Sequence, residues 1–173
     1  MKTLLKYSGI ISAVLAIVAF ILLLATPAFT YTMKENLLGT KTSADIAGTT
    51  AIFGGTDAKY AATWAGVLAF ILIIVALVIL ICAIVLPLLK VKALDKFAGV
   101  LNLVAVISLI LAGVFAFCIV AAFKAANGDA SGSSWIGSAT YTIGAGWVIA
   151  GIIAIVAGVF AILPAACDFI SKK

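Results

Sequence analysis

Residues 61–89 read AATWAGVLAFILIIVALVILICAIVLPLL, a run without a single charged side chain. A helix needs about 20 predominantly apolar residues to cross a hydrocarbon core about 30 Å thick, and this run exceeds that length. It reads as a membrane span. Residues 8–29, 97–123 and 140–167 are free of charge as well, and every Lys, Asp and Glu of the chain lies outside the four stretches. The partition predicts an all-α membrane protein, a four-transmembrane-helix bundle with a small outer β-containing loop.

Composition agrees. The chain has 173 residues, 66% apolar and 10% charged, whereas soluble domains are about half apolar and about a quarter charged. A single membrane domain over 1–173 follows, with helices at about 4–29, 60–89, 95–125 and 140–168 and outer loops at about 30–59 and 126–139. Neither loop reaches the roughly 50 residues of a separate domain. Helix two, at 1.5 Å per residue, is about 45 Å long and should tilt or project from the membrane.

The formal net charge of +5 is a topology signal, not a nucleic-acid one. Lys2, Lys6, Lys90, Lys92, Lys96, Lys172 and Lys173 on the tails and the second connection oppose only Asp95 and Asp168. In the first and third connections, Lys34, Lys41, Lys59 and Lys124 balance Glu35, Asp45, Asp57 and Asp129. The positive-inside rule then puts both termini and the 90–96 turn in the cytoplasm of a cell-membrane protein, with the larger loops outside. The basic rim would also attract anionic lipid headgroups. An N-terminus of Lys2 and Thr3 followed by an apolar run ending Ala25-Thr26-Pro27-Ala28 resembles a signal peptide. Its apolar core from Ile10 to Ala25 is at or above the usual limit of about 15 residues and no A-x-A site follows, so it reads as a retained first helix.

The first outer loop is rich in Thr, Gly and Ala, and Thr49-Thr50-Ala51-Ile52-Phe53 before Gly54-Gly55-Thr56-Asp57 reads as a strand entering a turn. Unstructured loops of this length are uncommon in compact proteins, so a small outer hairpin or sheet is expected. Tyr60 and Trp64 suit the outer interface, and Trp135 leads into helix four, which is expected to end at Pro164 and the charged tail. Ala83-Ile84-Val85-Leu86-Pro87 and Phe160-Ala161-Ile162-Leu163-Pro164 form a faint two-fold repeat, too short to carry weight.

Within the spans the pattern is one of small residues. Ala62, Ala69, Ala76 and Ala83 recur every seven residues on helix two, as do Ala98, Ala105 and Ala112 on helix three; Gly146, Ala150, Ala154 and Gly158 recur every four on helix four. Such ridges let helix backbones approach closely, either within one chain or between copies. Asn102 lies on the stripe of Ala98, Ala105, Leu109, Ala112 and Ala116, where it should face the bundle and pin register through an interhelical bond averaging about 0.6 kcal/mol. Ser12 and Ser108 can bond their own helix carbonyls.

Chemistry is otherwise sparse. No ionisable side chain other than cysteine sits at depth, where proton and ion pathways usually need one. Cys82 and Cys118 differ in height by roughly 20 Å at 1.5 Å per residue, far beyond the roughly 7 Å that a disulfide spans. Cys167 lies near the inner surface, where a buried inert thiol is the commoner reading and acylation the alternative. There is no histidine, no cysteine pair at metal-ligand spacing, and no phosphate or dinucleotide motif. Neither an enzyme nor a cofactor is expected. Asp168 and Lys172 form an exposed i, i+4 pair.

Cytoplasmic termini, a long first outer loop able to form strands, a shorter second one and an extended third helix resemble the claudin-like four-helix (tetraspan) membrane proteins. The resemblance implies outer loops folded into a small sheet and side-by-side association into strands, or scaffolding of other membrane proteins. The family's first-loop signature, tryptophans around Gly-Leu-Trp followed by two cysteines, has no counterpart here, since residues 30–60 contain no Trp and no Cys. No functional residue is carried over. The function expected is a non-enzymatic scaffold that self-associates or contacts neighbours through its helix ridges and first outer loop. The alternatives are an accessory subunit of a larger transporter or respiratory-type complex, and an oligomeric channel lined by Asn102, Ser108 and backbone.

Overall fold

The structure is a computed structural model that describes residues 2–35, 39–55, 60–85, 98–129, 131–133 and 137–170. The lysine turn at 90–96, Pro87, Trp135 and Lys172 fall outside these residues, as do the side chains of Ala98, Pro164, Cys167 and Asp168. In chain order the elements are α1 (Lys2–Ala25), β1 (Pro27–Glu35), β2 (Lys41–Ala47), α2 (Gly48–Phe53), α3 (Trp64–Val85), α4 (Ala98–Phe117), α5 (Ile119–Asn127), β3 (Gly132–Ser133), β4 (Gly137–Ile143) and α6 (Ala145–Ile170). Helices α1, α3, α4 and α6 are each long and apolar enough to cross a membrane. The protein is a membrane-spanning bundle of tetraspan topology.

The four spans pack around alanine. Ala13, Ala16 and Ala19 of α1, Ala69 and Ala76 of α3, Ala105, Ala112 and Ala116 of α4, and Ala150, Ala154, Ala157 and Ala161 of α6 are all buried. Many Ile, Val and Leu point outward, as at Ile17, Ile71, Val78, Ile107, Ile152 and Val159, while Leu23, Ile73, Leu80, Val106 and Leu109 fill the interior between the alanines. In lipid no water-exclusion force favours large side chains inside, so close van der Waals contact between backbones decides the arrangement. Most extensive are the contacts of α6 with α4 and α1, and of α3 with α4. Gly113 of α4 marks a close approach to α6: a Cβ there would lie 2.6 Å from Ile155 Cγ1 and 2.7 Å from the Gly151 carbonyl oxygen.

The spans are shorter at their sheet-side ends than their uncharged lengths imply. Helix α1 stops at Ala25, not at 29, because Pro27 removes a backbone donor and Thr26 turns the chain directly into β1. Thr26 then satisfies the freed helix end, its N–H and Oγ1 both donating to the Leu22 carbonyl, at 3.1 and 2.7 Å. Helix α6 begins at Ala145, not at 140, since Thr140, Tyr141, Thr142 and Ile143 are β-branched or aromatic and pair as β4. At the other end it passes Pro164 and continues to Ile170. The expected strand at 49–53 is instead the helix α2, closed by Gly54 at φ 86°, whose N–H donates to the Thr50 carbonyl. Its Ala51 and Ile52 are buried against the bundle, which favours a helical turn over an extended run.

All four strands form one antiparallel sheet in the order β2-β1-β4-β3, so both outer loops contribute to it. Strand β1 pairs with β2 from Lys34↔Lys41 to Phe29↔Ile46, and with β4 from Glu35↔Gly137 to Phe29↔Ile143. The third span also reaches this level. A local turn at Cys118, whose N–H is shared between the Val114 and Phe115 carbonyls at 3.3 and 3.0 Å, joins α4 to α5.

Candidate interaction surface

The sheet rests on the bundle through aromatic rings. Strand alternation sends Phe29 and Tyr31 of β1 and Tyr141 of β4 to one face, where Phe29 and Tyr141 meet Phe123 of α5 and Tyr31 meets Tyr141. Ring centroids lie 4.4 Å apart for Phe29 and Phe123, 6.0 Å for Phe123 and Tyr141, and 5.0 Å for Tyr31 and Tyr141. Tyr60, just ahead of α3, adds its ring to Phe123 at 5.6 Å. At the centre of the junction the buried Trp147 of α6 donates its indole N–H to the Leu23 carbonyl at 3.1 Å, satisfying one of the open carbonyls in the last turn of α1.

Polar contacts then lock the loops to helix ends. Thr63 caps α3 by accepting the Gly66 N–H at 3.2 Å while its hydroxyl donates to the Ala51 carbonyl of α2 at 2.7 Å. Asn127, ending α5, accepts the Ala61 N–H at 2.6 Å and donates to the Ala61 carbonyl at 3.3 Å. Gly48 fits where a Cβ would sit 1.9 Å from the Leu23 carbonyl oxygen. Asp129 binds the Ser131 hydroxyl and, at 2.8 Å, its N–H, and pairs with Lys124 at 3.3 Å. These partners hold its carboxyl below the usual carboxylate range, the Ser131 hydroxyl most of all and its backbone N–H next. Lys124 also lies 5.3 Å from the centre of the Tyr141 ring.

The opposite face carries hydroxyls. Thr30 and Thr32 of β1 stand across from Thr142 and Thr140 of β4, with Ser43 and Asp45 on β2, and the Thr30 hydroxyl donates to Asp45 Oδ1 at 2.6 Å. The register is built on a triplet that occurs twice: Thr30-Tyr31-Thr32 and Thr140-Tyr141-Thr142 pair with each other, tyrosine against tyrosine. Sequence reasoning missed this match, and the repeated triplet was the signal that would have found it.

Among the described residues nothing continues the sheet beyond β2, so the seven-residue strand Lys41–Ala47 presents an open edge. Its side chains are exposed except Ile46. At the far edge, β3 covers only Ala139 and Ser138 of β4. Exposed aromatics Phe53, Tyr60 and Trp64 ring the bundle beneath, as expected at a membrane interface.

The residues singled out from sequence are placed as follows. Ala69, Ala76, Ala105, Ala112, Ala150 and Ala154 are at most 1% exposed and meet inside the one chain, leaving no surface for a neighbour. Gly158 faces α4, with Ile110 Cγ1 2.9 Å from the site of its absent Cβ, and Gly146 packs on Thr26. Asn102 is buried on the same side of α4 as Ala105, Leu109 and Ala112. Ala83 is half-buried, and Ala62 lies ahead of α3 and is exposed, because the helix starts at Trp64. Ala98 begins α4. Ser12 bonds across helices and not within its own: its hydroxyl donates to the Ala157 carbonyl of α6 at 2.8 Å. Cys82 is exposed, and both it and Cys118 are free thiols. Gly113 and Gly151, which bring α4 and α6 close together, escape the small-residue patterns read from the sequence, although Gly144, Gly151 and Gly158 share a seven-residue spacing. No protein-family model and no curated protein matches the chain.

Proposed function

We propose that this integral membrane protein is a non-enzymatic scaffold of the cell membrane, with both termini cytoplasmic, that assembles with further copies of itself through its outer sheet. The observation carrying this reading is the open edge of β2 on a sheet anchored by Phe29, Phe123 and Trp147. An anchored strand edge is a template for main-chain hydrogen bonding with another chain. The small-residue ridges support the same conclusion from the other side, because they are occupied within the bundle and shift association to the outer surface. The claudin-like layout fits a tetraspan protein working by lateral contact.

Lysine-reactive crosslinking in intact membranes tests the proposal. Dimers of the chain are the expected products. Monomers alone, or stoichiometric co-purification with unrelated chains after gentle extraction, would replace self-assembly with the accessory-subunit reading.

A further inference from the structure

We propose that the free edge of β2 pairs with the same edge of a second copy, antiparallel and centred on Ser43, so that Lys41 of each copy lies opposite Asp45 of the other. The inference rests on the self-association reading above and names its contact.

Ladder parity comes first. Glu35 N–H donates to the Thr40 carbonyl at 2.9 Å, in the same register that sets Lys34 opposite Lys41. Hydrogen-bonded and non-hydrogen-bonded pairs alternate along an antiparallel ladder, so Thr42, Ala44 and Ile46 turn their N–H and C=O groups toward β1. On the other side of β1, the Gly144 N–H donation to the Ala28 carbonyl fixes the same parity. Lys41, Ser43 and Asp45 therefore present their backbone groups outward. Two such edges bond only when these residues face one another, which requires a two-fold centre on a residue and not between residues.

Charge then chooses among the centres. Centring on Lys41 or on Asp45 sets like charges directly opposite, which destabilises a strand pair. A centre at Thr42 puts Lys41 opposite Ser43, and one at Ala44 puts it opposite Ala47, so neither gives it a carboxylate. Only the centre at Ser43 places Lys41 opposite Asp45, and it does so twice while bonding all three outward residues of each copy. Those side chains share the hydroxyl-bearing face and are exposed. Lys41 also faces Lys34 within its own sheet, and among the described residues the one ion pair is Lys124 with Asp129. A carboxylate from a second copy relieves that like-charge juxtaposition.

The test uses the full-length protein in lipid vesicles with Cys82, Cys118 and Cys167 replaced by alanine. Ser43→Cys should crosslink to itself with a short thiol-reactive reagent, because paired residues on neighbouring antiparallel strands lie about 5.5 Å apart. Thr140→Cys, also exposed but on β4, should not, since five strand spacings of about 4.8 Å separate it from its counterpart. Lys41→Asp or Asp45→Lys added to Ser43→Cys should each lower the dimer yield about five- to tenfold by setting like charges opposite. Mixing the two charge variants should restore it, since every facing pair in the mixed dimer is again of opposite sign; this also shows that each variant is folded. Crosslinking at Ser43 that ignores both charge changes, or charge variants that fail to complement, would overturn the register. Lysine-reactive dimers without a Ser43→Cys crosslink would overturn it while leaving the scaffold reading intact, whereas loss of both would remove that reading too.

Discussion

Inside the spans the core is built on Ala16, Ala69, Ala105 and Ala157 with Ile73, Leu80 and Leu109 between them, and Gly113 and Gly151 let two backbones approach closely. At the end that carries the sheet it is made of Phe29, Phe123, Ile52 and Trp147. The contrast follows the solvent. Lipid offers no gain for hiding a large aliphatic side chain, so small residues line the helix contacts and many Ile, Val and Leu are left facing outward. Where the chain meets water, burying an aromatic ring removes apolar surface from solvent, and the cap is assembled as a soluble protein would be. One molecule thus carries two packing rules that meet at the level of Trp147.

Substitutions can be aimed at either side of that divide. The largest effect is expected from Phe123→Ala, which removes the ring shared by Phe29, Tyr60 and Tyr141. It should cost about 3 to 5 kcal/mol of cap stability. Hydrogen exchange should accelerate in β1 and β4 while the spans stay protected; equal acceleration in both would dissolve the distinction. Next comes Gly113→Val, whose added carbons meet Ile155 and the Gly151 carbonyl. Overpacking of about 1 to 3 kcal/mol should lower the thermal midpoint in detergent, with the cap retaining its exchange protection until the bundle opens. The smallest effect belongs to Asp129, whose carboxyl is held below its ordinary value by Ser131 and Lys124. Its stabilising contribution is present at neutral pH and is lost as acid titrates from the ordinary carboxylate range down through the lowered value. Exchange at Ser131 should rise over that window and lose this dependence in Asp129→Asn.

The same divide explains what was legible in the sequence. Spans of uncharged residues announced themselves because exclusion of charge from lipid is a composition rule with no tertiary component. Ala69, Ala105 and Ala154 could be placed inside because small-residue spacing reports helix contact directly. The ends of the spans were not legible from apolarity: residues 27–29 and 140–143 are as uncharged as a helix, yet Pro27 and the Thr-Tyr-Thr triplets make them strands. Choosing between helix and strand there depends on a partner more than 100 residues away, Thr30 against Thr142. At 49–53 the error ran the other way, since a β-rich pentapeptide folds as α2 once Ala51 and Ile52 find the mouth of the bundle.

The strand order β2-β1-β4-β3 also imposes a schedule on biogenesis. β1 and β2 can close as a hairpin as soon as they leave the translocon, but β4, which covers the other edge of β1, follows only after α3, α4 and α5. At synthesis rates of about 5 to 20 residues per second, that edge waits about 5 to 20 seconds for its own chain. During that interval a nascent copy offers two pairing edges where the finished protein offers one long one. Completion of β4 is therefore the event that closes the second edge of β1.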